Sequence, residues 1–63
     1  MSGDLRENIK VGSRVMIVQK QDQKSGRLTE GKVEKILTKS PTHPHGIKVM
    51  LEDGTVGRVK EII

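Results

Sequence analysis

The 63 residues hold one small domain, and a chain of this size buries only ~60% of its unfolded surface, so its stability is modest. It contains no Cys and no Phe, Tyr or Trp; this excludes disulfides, thiolate chemistry and the aromatic stacking platform of RRM- and OB-type single-strand binders. Lys and Arg number 12 against 8 Asp and Glu, a formal charge of +4, which favours an acidic partner such as nucleic acid.

Residues 1–8 are polar and charged and read as a flexible N-terminal tail, with residues 9–63 as a single domain. The tail lacks a signal-peptide apolar core, and no apolar run approaches the ~18 residues of a membrane span. A cytoplasmic protein is therefore expected. Gly12-Ser13 is a turn, and residues 14–20 are β-branched and apolar on both faces, a first strand. Val15 and Ile17 point inward, leaving Met16 and Val18 outward. Residues 21–26 (Gln-Asp-Gln-Lys-Ser-Gly) form a polar loop.

A second strand follows over residues 27–38. Val33 and Ile36 stand three apart, which breaks alternation. Helical spacing over 28–37 is the competing reading, but Gly31 falls in its first half and its neighbours are strands. A β-bulge at Glu34-Lys35 accounts for the slip. The next loop carries Pro41 and Pro44, which hold Ser40 and His43 extended. Ile47, Val49 and Leu51 then alternate with Lys48, Met50 and Glu52, the period of a strand with one buried face.

Asp53-Gly54 is a two-residue hairpin signal of type I′, leading into a fourth strand over 55–60. There Val56 and Val59 are again three apart, and Gly57 marks a bulge. Residues 61–63 supply a short fifth strand or turn. Two phase slips and five short strands predict an all-β fold, a small five-stranded antiparallel SH3-like barrel with a one-turn helix before its last strand. Closure removes the exposed edges of a flat sheet. The expected core is Val11, Val15, Ile17, Val33, Ile36, Ile47, Val49, Leu51, Val56, Val59 and Ile62.

Two resemblances follow from these residues. Gly12, Val15 and Ile17, then Gly31, Val33 and Ile36, are similar to the KOW motif of ribosomal and transcription-elongation proteins. The polar loop over 20–28 is longer than that motif's turn. Arg27-Leu28-Thr29-Glu30-Gly31, Ile36-Leu37-Thr38, His43-Pro44-His45-Gly46-Ile47-Lys48-Val49 and Asp53-Gly54 with Val56-Gly57-Arg58-Val59 resemble the YwbE-type family of small prokaryotic proteins. That resemblance spans the chain from Ile9 onward. It implies a compact β domain and carries no activity with it.

Between Lys35 and Leu51 there is no acidic residue, and between Lys10 and Thr29 only Asp22. In an SH3-like barrel the loops 20–28 and 38–46 project from one end. Lys20, Lys24, Arg27 and Lys39 then share a rim with His43, His45 and Lys48, and Glu52 and Asp53 lie at the other end. Such a rim suits the phosphates of RNA or of a ribonucleoprotein. An alternative is a protein-interaction module docking through an outward Met16, Val18 and Met50 patch. His43 and His45 point the same way if extended, but two imidazoles fall short of a tight metal site, so no metal and no cofactor is expected. No triad can be assembled around Ser40 and His43, so no enzyme is expected. Arg58 is read as a cross-strand ion-pair partner of Glu52 or another carboxylate.

Overall fold

The computed structural model describes residues 4–63. The part of the expected tail over residues 1–3 lies outside the described residues. Among the described residues there is no α-helix, and four strands form one closed antiparallel barrel: β1 (Arg14–Val18), β2 (Thr29–Ile36), β3 (Lys48–Leu51) and β4 (Val56–Ile62). Each strand pairs with the next, and β4 returns to β1. Short 3-10 turns occupy Arg6–Asn8 and Lys20–Asp22. No helix is long and apolar enough to cross a membrane among the described residues.

The expected fifth strand does not exist separately. β4 runs unbroken to Ile62, with no helical turn ahead of residues 61–63. Continuity follows from the pairing: Glu61 and Ile62 continue the β4 ladder against Met16 and Val15. Residues 28–37 are strand rather than helix apart from the ends, and the β2–β3 register shifts between Val33 and Lys35, where the three-residue spacing requires a bulge. The first half of β2 pairs with β1 and the second with β3, so the bulge bends the strand from one neighbour to the other.

The second slip lies elsewhere than expected. In β4, Gly57 and Val59 face inward and Val56 outward. Gly57 holds an inward position because a Cβ there would stand 2.6 Å from the Val18 carbonyl oxygen and 2.9 Å from Ile17 Cδ1. The irregularity falls instead at Lys60: Ile17 pairs Val59 while Met16 pairs Glu61. The hairpin also differs from type I′. Asp53 has no positive φ, Gly54 has φ +88°, and Gly54 N–H donates to Leu51 O at 2.9 Å. A type I turn followed by a left-handed Gly gives a three-residue loop, closed by Leu51 N–H to Thr55 O at 2.7 Å. Asp53 Oδ1 accepts from Thr55 N–H at 3.0 Å. Hydrogen bonds from Thr55 hold the Asp53 carboxyl below its ordinary pKa.

The core comprises Ile9, Val15, Ile17, Val33, Ile47, Val49, Leu51 and Val59, with Ile36 and Ile62 packed against it. Two expected members are outside it. Val11 is 70% exposed because it sits in the turn closed by Ser13 N–H to Lys10 O; Ile9, 3% exposed, is part of the core instead. Val56 is exposed because Gly57 takes the inward register position.

Candidate functional site

Residues 43–46 form a turn with Pro44 at its second position, where a fixed φ near −65° suits it. Gly46 N–H donates to His43 O at 3.1 Å, and His43 Nδ1 accepts from His45 N–H at 3.1 Å. Gly46 has φ +100°, and a Cβ there would overlap the Val59 carbonyl oxygen. Two cations of β4 fasten the turn from outside: Arg58 Nη1 donates to Gly46 O at 3.2 Å and Lys60 Nζ to His45 O at 2.9 Å. The segment ahead of the core lies along the same loop. Leu5 bridges Thr42, Arg6 N–H donates to Pro41 O at 2.8 Å, and His43 N–H donates to Asp4 O at 3.0 Å.

The two imidazoles are tilted, with ring centroids 5.8 Å apart. His43 is half-buried. Desolvation first, then the positive charge of Arg58 and the neighbouring His45, hold its pKa below the ordinary imidazole value. Among the described residues no group of three or more His, Asp or Glu is arranged to hold a metal ion.

Beside this turn lies an open cleft of about 570 Å³. Gln23, Gly26 and Leu28 line it from the loop after β1, Val18 from the end of β1, its register partner Arg58 and Lys60 from β4, and His45 from the turn. The loops over 20–28 and 38–46 therefore meet at one cleft. Lys20, Lys24 and Arg27 are exposed on the first loop, and Lys48 is exposed on β3 opposite Arg58 in register. Lys39 stands apart from them. It lines a separate cleft of about 310 Å³ with Leu5, Arg6, Glu7, Pro41 and Thr42. Glu52 and Asp53 belong to the hairpin beyond the Met50–Val56 pair.

Three sequence expectations change here. Arg58, read as an ion-pair partner of Glu52 or another carboxylate, donates to the Gly46 carbonyl. Arg58 and Lys60 both line the cleft, although neither was among the expected rim cations. Their signal is the alternation Gly57-Arg58-Val59-Lys60, which turns both cations outward on the strand that closes the barrel. The apolar docking patch also dissolves. Val18 is only 5% exposed, although it borders the cleft with Leu28 and Arg58. Met16 and Met50 are half-buried on β1 and β3, which are not neighbours in the barrel.

No solved structure matches the chain. The "Uncharacterized protein YwbE" of Bacillus subtilis (strain 168) is 57% identical over 63 residues, covering 100% of this chain and 97% of the relative. The model of the family described as "Uncharacterized conserved protein (DUF2196)" matches residues 2–62, and the chain belongs to that family.

Proposed function

We propose that this protein is a small RNA-binding module of the cytoplasm, an SH3-like (KOW-like) barrel without catalysis of its own. It grips the phosphate backbone of RNA, free or within a ribonucleoprotein. One observation carries this reading: the loop over 20–28, the 43–46 turn and β4 meet at a single cleft that Arg58 and Lys60 line together with His45. Lys20, Lys24 and Arg27 are exposed on the first of those loops, with Asp22 the lone carboxylate of the segment 20–28. Long cationic side chains on loops suit phosphate contacts, which position a nucleic acid without reading its sequence. The lack of Phe, Tyr and Trp points away from readout by runs of stacked bases and toward backbone and shape.

The test is the affinity for a short labelled RNA hairpin, followed by fluorescence anisotropy across a range of salt. Binding should weaken linearly on a log–log plot. Replacing Lys24 and Arg27 together by Ala should lower the steepness of that line by about 2, since each lost phosphate contact removes about 1. Lys39→Ala should change it less, because Lys39 lines the other cleft. Absence of binding at low salt overturns the proposal. So does an affinity that holds or rises with salt, the behaviour of an apolar contact.

A further inference from the structure

We infer that the cleft beside the 43–46 turn takes one unstacked nucleotide unit, its phosphate on Arg58 and Lys60 and its base against Leu28 and His45. The inference deepens the RNA-binding reading and rests on it.

The cleft combines two chemistries. Leu28, 43% exposed, offers aliphatic surface to it although it ends a loop that is otherwise polar, and the His45 ring also lines it. Arg58 and Lys60 line the same cleft with positive charge. A ligand that satisfies both is flat and partly apolar at one end and anionic at the other. A nucleotide is such a molecule. The volume of about 570 Å³ falls within the roughly 300–1,000 Å³ of small-ligand sites.

The cationic side is held in position before any ligand arrives. Arg58 is half-buried, and its Nη1 is anchored on Gly46 O. A guanidinium carries five N–H donors in a fixed fork, so one anchored nitrogen leaves others to meet a phosphate side by side. Lys60 Nζ is fixed on His45 O at 2.9 Å and also has donors to spare. The His45 imidazole is exposed, and a His ring is a platform on which an unstacked RNA base can lie. Asp22, on the facing loop, is half-buried, and its carbonyl accepts from Gly26 N–H and Ser25 Oγ. A duplex lacks a free base for this site. A bulge, a loop or a free nucleotide supplies one.

The experiment compares a blunt, fully paired RNA duplex, the same duplex with one bulged nucleotide, and adenosine 5′-monophosphate, each titrated into the intact labelled protein with amide shifts recorded. The bulged duplex should bind about tenfold tighter than the paired one, in keeping with one stacked base. The shifts should centre on Val18, Leu28, His45 and Arg58. Leu28→Ser, at an exposed position, should abolish the tenfold preference while leaving the paired duplex bound, whereas Lys60→Gln should weaken both duplexes. If both duplexes bind equally, the nucleotide site is wrong and the backbone reading stands. If neither duplex binds but the monophosphate moves the same amides, the site stands with a free nucleotide as its ligand and the RNA reading falls. If none of the three perturbs these residues, both fall. The amide map of the unmodified protein decides the matter even if a variant fails to fold.

Discussion

Gly46→Ala is the sharpest test of how the site is joined to the barrel. Two separate contributions are expected. Gly46 has φ +100°, and an L-residue forced to positive φ costs roughly 1–2 kcal/mol. The new Cβ also overlaps the Val59 carbonyl oxygen, which is backbone and cannot rotate away. Relieving that overlap means moving β4 where Val59 N–H donates to Ile47 O at 2.9 Å, and overpacking of this kind costs roughly 1–3 kcal/mol. The sum is roughly 2–5 kcal/mol. A chain of 63 residues has a total stability of roughly 3–9 kcal/mol at ~0.05–0.15 kcal/mol per residue, so about half of it disappears.

Gly54→Ala is the matched control. Gly54 also has positive φ, +88°, yet nothing lies within 4 Å of a Cβ built there, so only the conformational contribution of roughly 1–2 kcal/mol applies. Urea unfolding followed by far-ultraviolet circular dichroism is the assay, since the chain has no Trp or Tyr to report by fluorescence. With a urea slope of roughly 1 kcal/mol/M for so small a domain, Gly46→Ala should unfold at about 1 M less urea than Gly54→Ala, or lower still. Coincident midpoints for the two variants would refute the close approach of the turn to β4.

Other outcomes follow from the core and from the titrating groups. Ile9→Ala should lose roughly 2–5 kcal/mol as a buried Ile, while Val11→Ala, at a position 70% exposed, should stay within about 0.5 kcal/mol of the parent; the reverse order in denaturant melts would return Val11 to the core. His43 has its pKa lowered in the folded protein, so the unfolded chain binds more protons there and stability rises with pH. Its contribution is complete above the ordinary value of 6.5 and is lost as pH falls below it. Denaturation midpoints should therefore decline through that window, and His43→Gln should flatten the decline. Asp53, also lowered, acts in the same direction further down: its contribution is present above the ordinary 3.8 and lost as pH falls through its lowered folded value. Asp53→Asn should reduce acid sensitivity in that lower range.

What could be read from the chain and what could not divide along one physical line. Strict alternation from Ile47 to Leu51 identifies β3 because a half-buried strand has period two, whatever surrounds it. The spacing of Val33 and Ile36 locates the β2 bulge for the same reason. The hairpin is harder. Asp53-Gly54 fits type I′, but a type I turn with Gly54 left-handed uses the same residues and allows Asp53 to accept from Thr55 N–H. The Val56–Val59 spacing misleads, because Gly57 occupies an inward position with no side chain to show it. Val18 misleads differently: pointing away from the core equals exposure only if nothing folds back, and the loop over 23–28 returns beside it. Alternation along β4 turns the cleft's own cations, Arg58 and Lys60, outward, but it does not say what they meet there. They become neighbours of the 43–46 turn only through pairing between residues far apart in sequence.

That pairing ties barrel closure to the candidate site through a single residue. Between the pairs Ile17–Val59 and Met16–Glu61, Lys60 is the extra residue of β4. A bulge bends its strand, strengthens the twist and re-aims the side chain it carries. In a regular ladder Lys60 would hold a fixed position opposite β1, on the same face as Arg58. Released from the ladder, it is exposed and its Nζ meets His45 O, while Arg58, still in register with Val18 and Lys48, holds Gly46 O. The residue at which β4 slips against β1 is thus also the second cation of the cleft. The turn is held from two sides, by the Val59 backbone behind Gly46 and by two cations in front. Changes that disturb the β1–β4 seam should accordingly reach the cleft, and changes confined to the distal hairpin should not.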